Sequence, residues 1–205
     1  TTIEGVEFDL LDSTGKNIIK HVKTDKNGKA EIKNLDIGKY ILRETKTRKE
    51  YKIALEQNIT IEWGKTLNLT IENEKMKGKV KITKISEDDN LITGEVAGTP
   101  IANVKFEIYD DSGKLVDTLI TKADGIAISK DLVVGKYIVK EKETGEYYEI
   151  NENDFEVEIT KNGEVVGLTI SNKSKTPPPE KPKEETPKIE VPPIEPIKKL
   201  PVTGY

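Results

Sequence analysis

The chain has 205 residues, 34% of them charged and only 5% aromatic, and its 33 Lys and Arg against 37 Asp and Glu leave a net charge of −4 with both signs interspersed. That balance argues against nucleic-acid binding, and an apolar content of 34% is too lean for a large helical or α/β core but suits thin β-sandwiches. With no cysteine, disulfides, iron–sulfur clusters and cysteine nucleophiles are excluded, so any covalent staple must use other chemistry. No signal peptide opens the sequence and no apolar run reaches membrane-spanning length; a start at Thr1 and an abrupt stop at Tyr205 read as a fragment cut at both ends.

Taken in order, Val6-Glu7-Phe8-Asp9-Leu10 alternates like a half-buried strand, Asp12-Ser13-Thr14-Gly15 turns, and Ile18 to Thr24 predicts a second strand. Asp25-Lys26-Asn27-Gly28 contains an Asn-Gly turn signal. Ala30-Glu31-Ile32 leads into Gly38-Lys39-Tyr40-Ile41-Leu42-Arg43-Glu44, and a polar loop reaches Tyr51. Ile59 to Trp63 and Leu67 to Ile71 then predict two closing strands, the last running on to Asn73. Trp63, the only tryptophan, is expected in the core or at a strand edge.

From about residue 78 the pattern restarts. An offset of 97 relates Gly28 to Gly125, Gly38 to Gly135, Glu44 to Glu141 and Tyr51 to Tyr148, while offsets of 98 and 99 relate Val6 to Val104 and Asn73 to Asn172. One-residue slips between elements are what loop-length changes produce, so whole domains are repeated. The expected fold class is all-β: two tandem immunoglobulin-like or prealbumin-like β-sandwiches, residues 1–77 and 78–175, then a disordered proline-rich linker over 176–199 and a motif at 200–204. Gly78 to Ile85 is an extra leading strand of the second copy. Its counterpart would lie before Thr1, so the first copy is expected to lack its first strand. Lys16, Lys20 and Lys23 fall in the segment matching Lys114 to Lys122 and supply no substitute.

Alternation also aims polar groups inward. Tyr137, Val139 and Glu141 share one strand face, as do Val80, Ile82 and Lys84. Leu69, Ile71 and Asn73 do so in the first copy, which places an amide inward at a strand end. A carboxylate at an inward position is costly unless something pairs with it or uses it. Beyond Asn172, nine of the ten prolines fall between Pro177 and Pro201, interleaved with Lys and Glu, a composition that forms an extended polyproline-type spacer rather than a core.

The tail resembles the wall-spanning region and LPXTG sorting signal of Gram-positive surface proteins, with Leu200, Pro201, Val202, Thr203 and Gly204 in the motif's order. The resemblance implies a sortase that cleaves between Thr203 and Gly204, a peptidoglycan precursor joined through Thr203, and a secreted protein held at the cell wall without spanning the membrane. The family pattern continues with a hydrophobic segment and a basic tail, neither of which follows Tyr205, in keeping with truncation. Both repeats are similar to the B-type, SpaA-like or prealbumin-like domains of collagen-binding surface proteins. There a first-strand lysine forms an amide with a last-strand asparagine, promoted by a glutamate in a Gly-x-Tyr-x-x-x-Glu strand. Lys84, Asn172 and Glu141 match those places in copy two, and Glu44 and Asn73 in copy one, whose lysine is absent.

The chemistry is consistent with these residue types. Burial lowers a lysine pKa and raises that of a carboxyl group, and a neutral amine can attack an amide. A protonated Glu141 would hydrogen-bond the Asn172 carbonyl and shuttle protons as ammonia leaves. The competing reading is a buried Lys84–Glu141 ion pair beside a strand-capping Asn172. No cofactor or metal site is expected. His21 lacks a second ligand cluster, and Asp88-Asp89, Asp110-Asp111 and Asn151 to Asp154 lack calcium-loop spacing. The reading is a structural stalk that catalyses nothing on other molecules. Alternatives are a sortase-joined minor or basal pilus subunit, though no Tyr-Pro pair occurs, and an adhesin module for a host matrix protein, though aromatics are few.

Overall fold

In the computed structural model, which describes residues 1–177, alternating side chains build twelve strands in an all-β architecture. Among the described residues no helix is long and apolar enough to cross a membrane. The first copy contributes β1 (Glu7–Asp12), β2 (Ile18–Lys23), β3 (Gly38–Lys46) and β4 (Gln57–Ile61), in one antiparallel sheet of order β2-β1-β3-β4. The second copy repeats this sheet with β6 (Lys105–Asp110), β7 (Leu115–Ile120), β10 (Gly135–Glu143) and β11 (Asp154–Ile159), in the order β11-β10-β6-β7.

Among the described residues, only the second copy has a second sheet. Its centre is β5 (Lys77–Ser86), flanked by β12 (Val165–Asn172) in parallel and β8 (Ile126–Ile128) antiparallel, with β9 (Leu132–Val133) on the start of β5. Val80 and Ile82 of β5 and Ile170 of β12 pack with Phe106, Ile108, Val139, Val157 and Ile159 of the facing sheet in one continuous core. Gly125, in a left-handed turn at φ +70°, lets the chain pass close against the Lys84 carbonyl, where any Cβ would collide.

The first copy departs from expectation where that second sheet would be. Leu67 to Ile71 and Ala30 to Ile32 form no strand. In the second copy the matching segments are β12 and β8, and both pair with β5. Residues 1–76 hold no strand in the place of β5, so the backbone groups of these segments have no ladder to join. Trp63 is also not a core residue; it sits in the turn after β4 and is 88% exposed. Among the described residues, buried apolar side chains number four in the first copy against sixteen in the second. The copies are joined through a short, hydrogen-bonded connection: Lys52 N–H donates to Glu74 O, Met76 N–H to Glu50 O, and Val134 N–H to Met76 O.

Candidate functional site: a buried lysine, glutamate and asparagine

Parallel pairing of β5 and β12 sets Lys84 opposite Ile170 and Asn172 opposite Ser86. Lys84 and Asn172 are therefore diagonal neighbours on one sheet face, two residues out of register, a gap the long lysine arm can span. The alternating burial of β5 turns Lys84 into the sandwich, where it is fully buried, as are Glu141 and Asn172. Glu141 arrives from β10 in the opposite sheet, paired with Phe106 of β6. A bulge follows at once, between Glu141 and Glu143, and redirects the chain into Thr144.

These residues meet closely. Lys84 Nζ lies 2.9 Å from Glu141 Oε2 and donates to Asn172 Oδ1. Asn172 Nδ2 donates to Glu141 Oε1 at 2.5 Å and to Thr144 Oγ1 at 2.9 Å. The Phe106 ring centroid is 5.9 Å from Nζ. Burial pushes the Lys84 pKa down from its ordinary value, with the neighbouring Glu141 carboxylate opposing the shift. A buried ion pair offers little net stability for its desolvation cost. Here the pair also stands in contact with an amide.

One expectation is corrected. The carboxylate meets the nitrogen of Asn172 rather than its carbonyl, because an ammonium can only donate and takes the carbonyl oxygen as its acceptor. Glu141 thus bridges the two nitrogens, one oxygen on each, which is the placement a proton carrier between them needs.

The first copy assembles the same corner without a lysine. Glu44 is buried, and β3 carries the same bulge opposite Glu7 and Phe8. Asn73 Nδ2 donates to both Glu44 oxygens at 2.8 Å and to Lys52 O at 2.9 Å, while Ala54 N–H donates to Glu44 Oε2 at 2.6 Å. Backbone and amide N–H groups thus satisfy the carboxylate. His21 is an exposed residue of β2 whose Nδ1 lies 2.6 Å from Asp9 Oδ1. Thr144 and Phe106 were not singled out from sequence; the repeated Glu-x-x-Thr of Glu44 to Thr47 and Glu141 to Thr144 was the available signal for Thr144. The Leu200 to Gly204 motif and nearly all of the proline-rich linker lie outside the described residues.

A prealbumin-like fold domain of the SpaA type matches residues 1–75 and again 78–174. The chain belongs to that family. It is 33% identical over 81 residues to the trypsin-resistant surface T6 protein of Streptococcus pyogenes, covering 40% of this chain and 15% of that protein. It is 34% identical over 99 residues to a collagen adhesin of Staphylococcus aureus, covering 42% of this chain and 8% of the adhesin. Among solved structures, the Bacillus anthracis TIE protein superposes with a TM-score of 0.72 at 30% identity, covering 84% of this chain and 31% of that one. The chain therefore spans a minor part of each of these relatives. They include a surface protein and an adhesin, and the prealbumin-like architecture accounts for the inward faces that hold the site.

Proposed function

We propose that the chain is a stalk region of a Gram-positive cell-surface protein, welded by an amide between Lys84 and Asn172 and anchored through Thr203 by a sortase. The observation that carries this reading is the fully buried contact among Lys84, Glu141 and Asn172. Proton transfer inside the ion pair gives a neutral amine and a carboxylic acid. The amine lone pair forms the Nζ–Cγ bond, the acid delivers its proton to Nδ2, and the carboxylate takes a proton from Nζ. Breaking the Cγ–Nδ2 bond releases ammonia and leaves Glu141 protonated. Fixed strands supply the proximity that makes so sluggish a reaction feasible.

Topology supports stalk duty. The chain enters the second copy at the Lys77 end of β5 and leaves beyond Asn172, at the opposite end of the parallel neighbour β12. With the amide formed, load passes along Lys77 to Lys84, across the bond and out at Asn172, bypassing residues 85–171. The Leu-Pro-Val-Thr-Gly order of 200–204 supports the anchoring part. Incubation with a sortase and an oligoglycine amine is expected to yield a product ending at Thr203; no transfer, or transfer at another bond, rejects it. Whether these domains also contact a host matrix protein, as the collagen adhesin's name states for that relative, is testable by binding of the full chain to immobilised collagen.

A further inference from the structure

The Asn172 carboxamide nitrogen carries two hydrogens, and beside a lysine the glutamate can engage only one of them. Glu141 Oε2 faces the Lys84 ammonium at 2.9 Å as an ion pair without accepting a hydrogen bond, and Nδ2 reaches Oε1 alone. The second hydrogen goes to Thr144 Oγ1 at 2.9 Å. In the first copy no lysine competes, Asn73 Nδ2 donates to both Glu44 oxygens and to Lys52 O, and the matching hydroxyl, Thr47 Oγ1, is buried without a hydrogen-bond partner among the described residues. The same Glu-x-x-Thr spacing and the same bulge bring both threonines to this corner. The hydroxyl is thus engaged in the copy whose carboxylate is shared with a lysine, and idle in the copy whose carboxylate is not and whose amide nitrogen is met by the Lys52 carbonyl instead.

We infer that Thr144 is a positioning residue for amide formation: its hydroxyl holds the Asn172 carboxamide with the carbonyl toward Lys84 and the departing nitrogen toward Glu141. An amide rotated by half a turn would place its nitrogen against the lysine, where two donors face each other, and its oxygen against the carboxylate. Glu141 Oε1, which can only accept, opposes that rotation, and the Thr144 hydroxyl, accepting from the same nitrogen, anchors the carboxamide so that the leaving group stays beside its proton source. Thr144 exchanges no proton with the reacting atoms and acts through Asn172 alone.

This inference rests on the Lys84–Asn172 amide proposed above, and the test separates the two. The full chain is made by cell-free synthesis, quenched in acid at intervals, and read by intact mass for loss of ammonia. Thr144→Val, which keeps the shape and removes the hydroxyl, should slow that loss by about tenfold or more, as expected when a reacting group loses its orientation. Thr144→Ser should stay near the wild-type rate. Thermal unfolding in a Lys84→Met background, where no bond can form, should be nearly the same with or without the added Thr144→Val change. Wild-type speed in Thr144→Val overturns the positioning role while leaving the amide in place. Failure of Thr144→Ser to rescue, or a Lys84→Met melt that collapses once Thr144→Val is added, makes the threonine structural and also overturns it. A wild type that never loses ammonia removes the amide itself, and the role of Thr144 with it.

Discussion

The two copies fold the same four-stranded sheet from related sequences, but only the second has β5 and therefore only the second closes into a sandwich among the described residues. β5 is the hub of its sheet: β12, β8 and β9 all pair with it. Where no strand fills that place, Leu67 to Ile71 keeps an alternating pattern and yet forms no strand. The β preference of such a segment is a fit to a neighbour more than a property of its own backbone. The comparison extends to the site. Glu44 and Asn73 meet as Glu141 and Asn172 do, so the corner is built by the sheet and bulge; what the lysine adds is a competing cation and a nucleophile.

The largest expected separation between the copies comes from removing that nucleophile. Lys84→Met should leave the chain at full mass and cost the second copy about 4–5 kcal/mol, the value for a crosslink closing a loop of this size. Urea unfolding followed by hydrogen exchange, copy by copy, checks this, and the first copy should not respond. Limited proteolysis sharpens the contrast next: residues 1–77 should be cut at protease levels that spare 78–175. A peptide with the sequence Lys77 to Ser86, docking where residues 1–76 hold no counterpart of β5, should slow the cutting. Equal resistance of both copies without peptide would show that the first is complete as it stands.

Smaller effects separate the two matching tyrosines. Tyr148 is buried and its hydroxyl donates to Glu95 at 2.9 Å, whereas Tyr51 is half-buried and its hydroxyl makes no hydrogen bond among the described residues. Tyr148→Phe should cost about 1 kcal/mol, the usual net worth of such a bond, and Tyr51→Phe much less. A pH titration completes the series. In Glu141→Ala, which keeps the amine unreacted, the folded Lys84 pKa lies below its ordinary value because burial dominates. The folded state then binds fewer protons than the unfolded chain between that lowered pKa and the ordinary one near 10.4. Stability should rise with pH through this window in Glu141→Ala; wild type, with its amine consumed, should show no such rise.

Much of this was legible because period-two alternation fixes which side chains turn inward. It placed Lys84 and Glu141 on buried faces, and the internal repeat supplied Glu44 and Asn73. What alternation cannot give is pairing. It did not show that Leu67 to Ile71 would lack a partner, nor that Trp63 would occupy a turn rather than a core, since each depends on a strand elsewhere in the chain. The orientation of the Asn172 amide was likewise hidden, because it follows from which neighbours can only donate. Thr144 lies beyond the bulge that breaks the period, so face-by-face reading passed over it.

The amide itself is tested most directly by intact mass combined with peptide mapping of the wild-type chain. The account predicts a mass one ammonia below that of the sequence, a branched peptide joining Lys84 to Asn172, and return to full mass in Glu141→Ala. A wild-type chain at full sequence mass, with Lys84 and Asn172 recovered in separate linear peptides, would contradict it and leave the site a buried ion pair beside an amide.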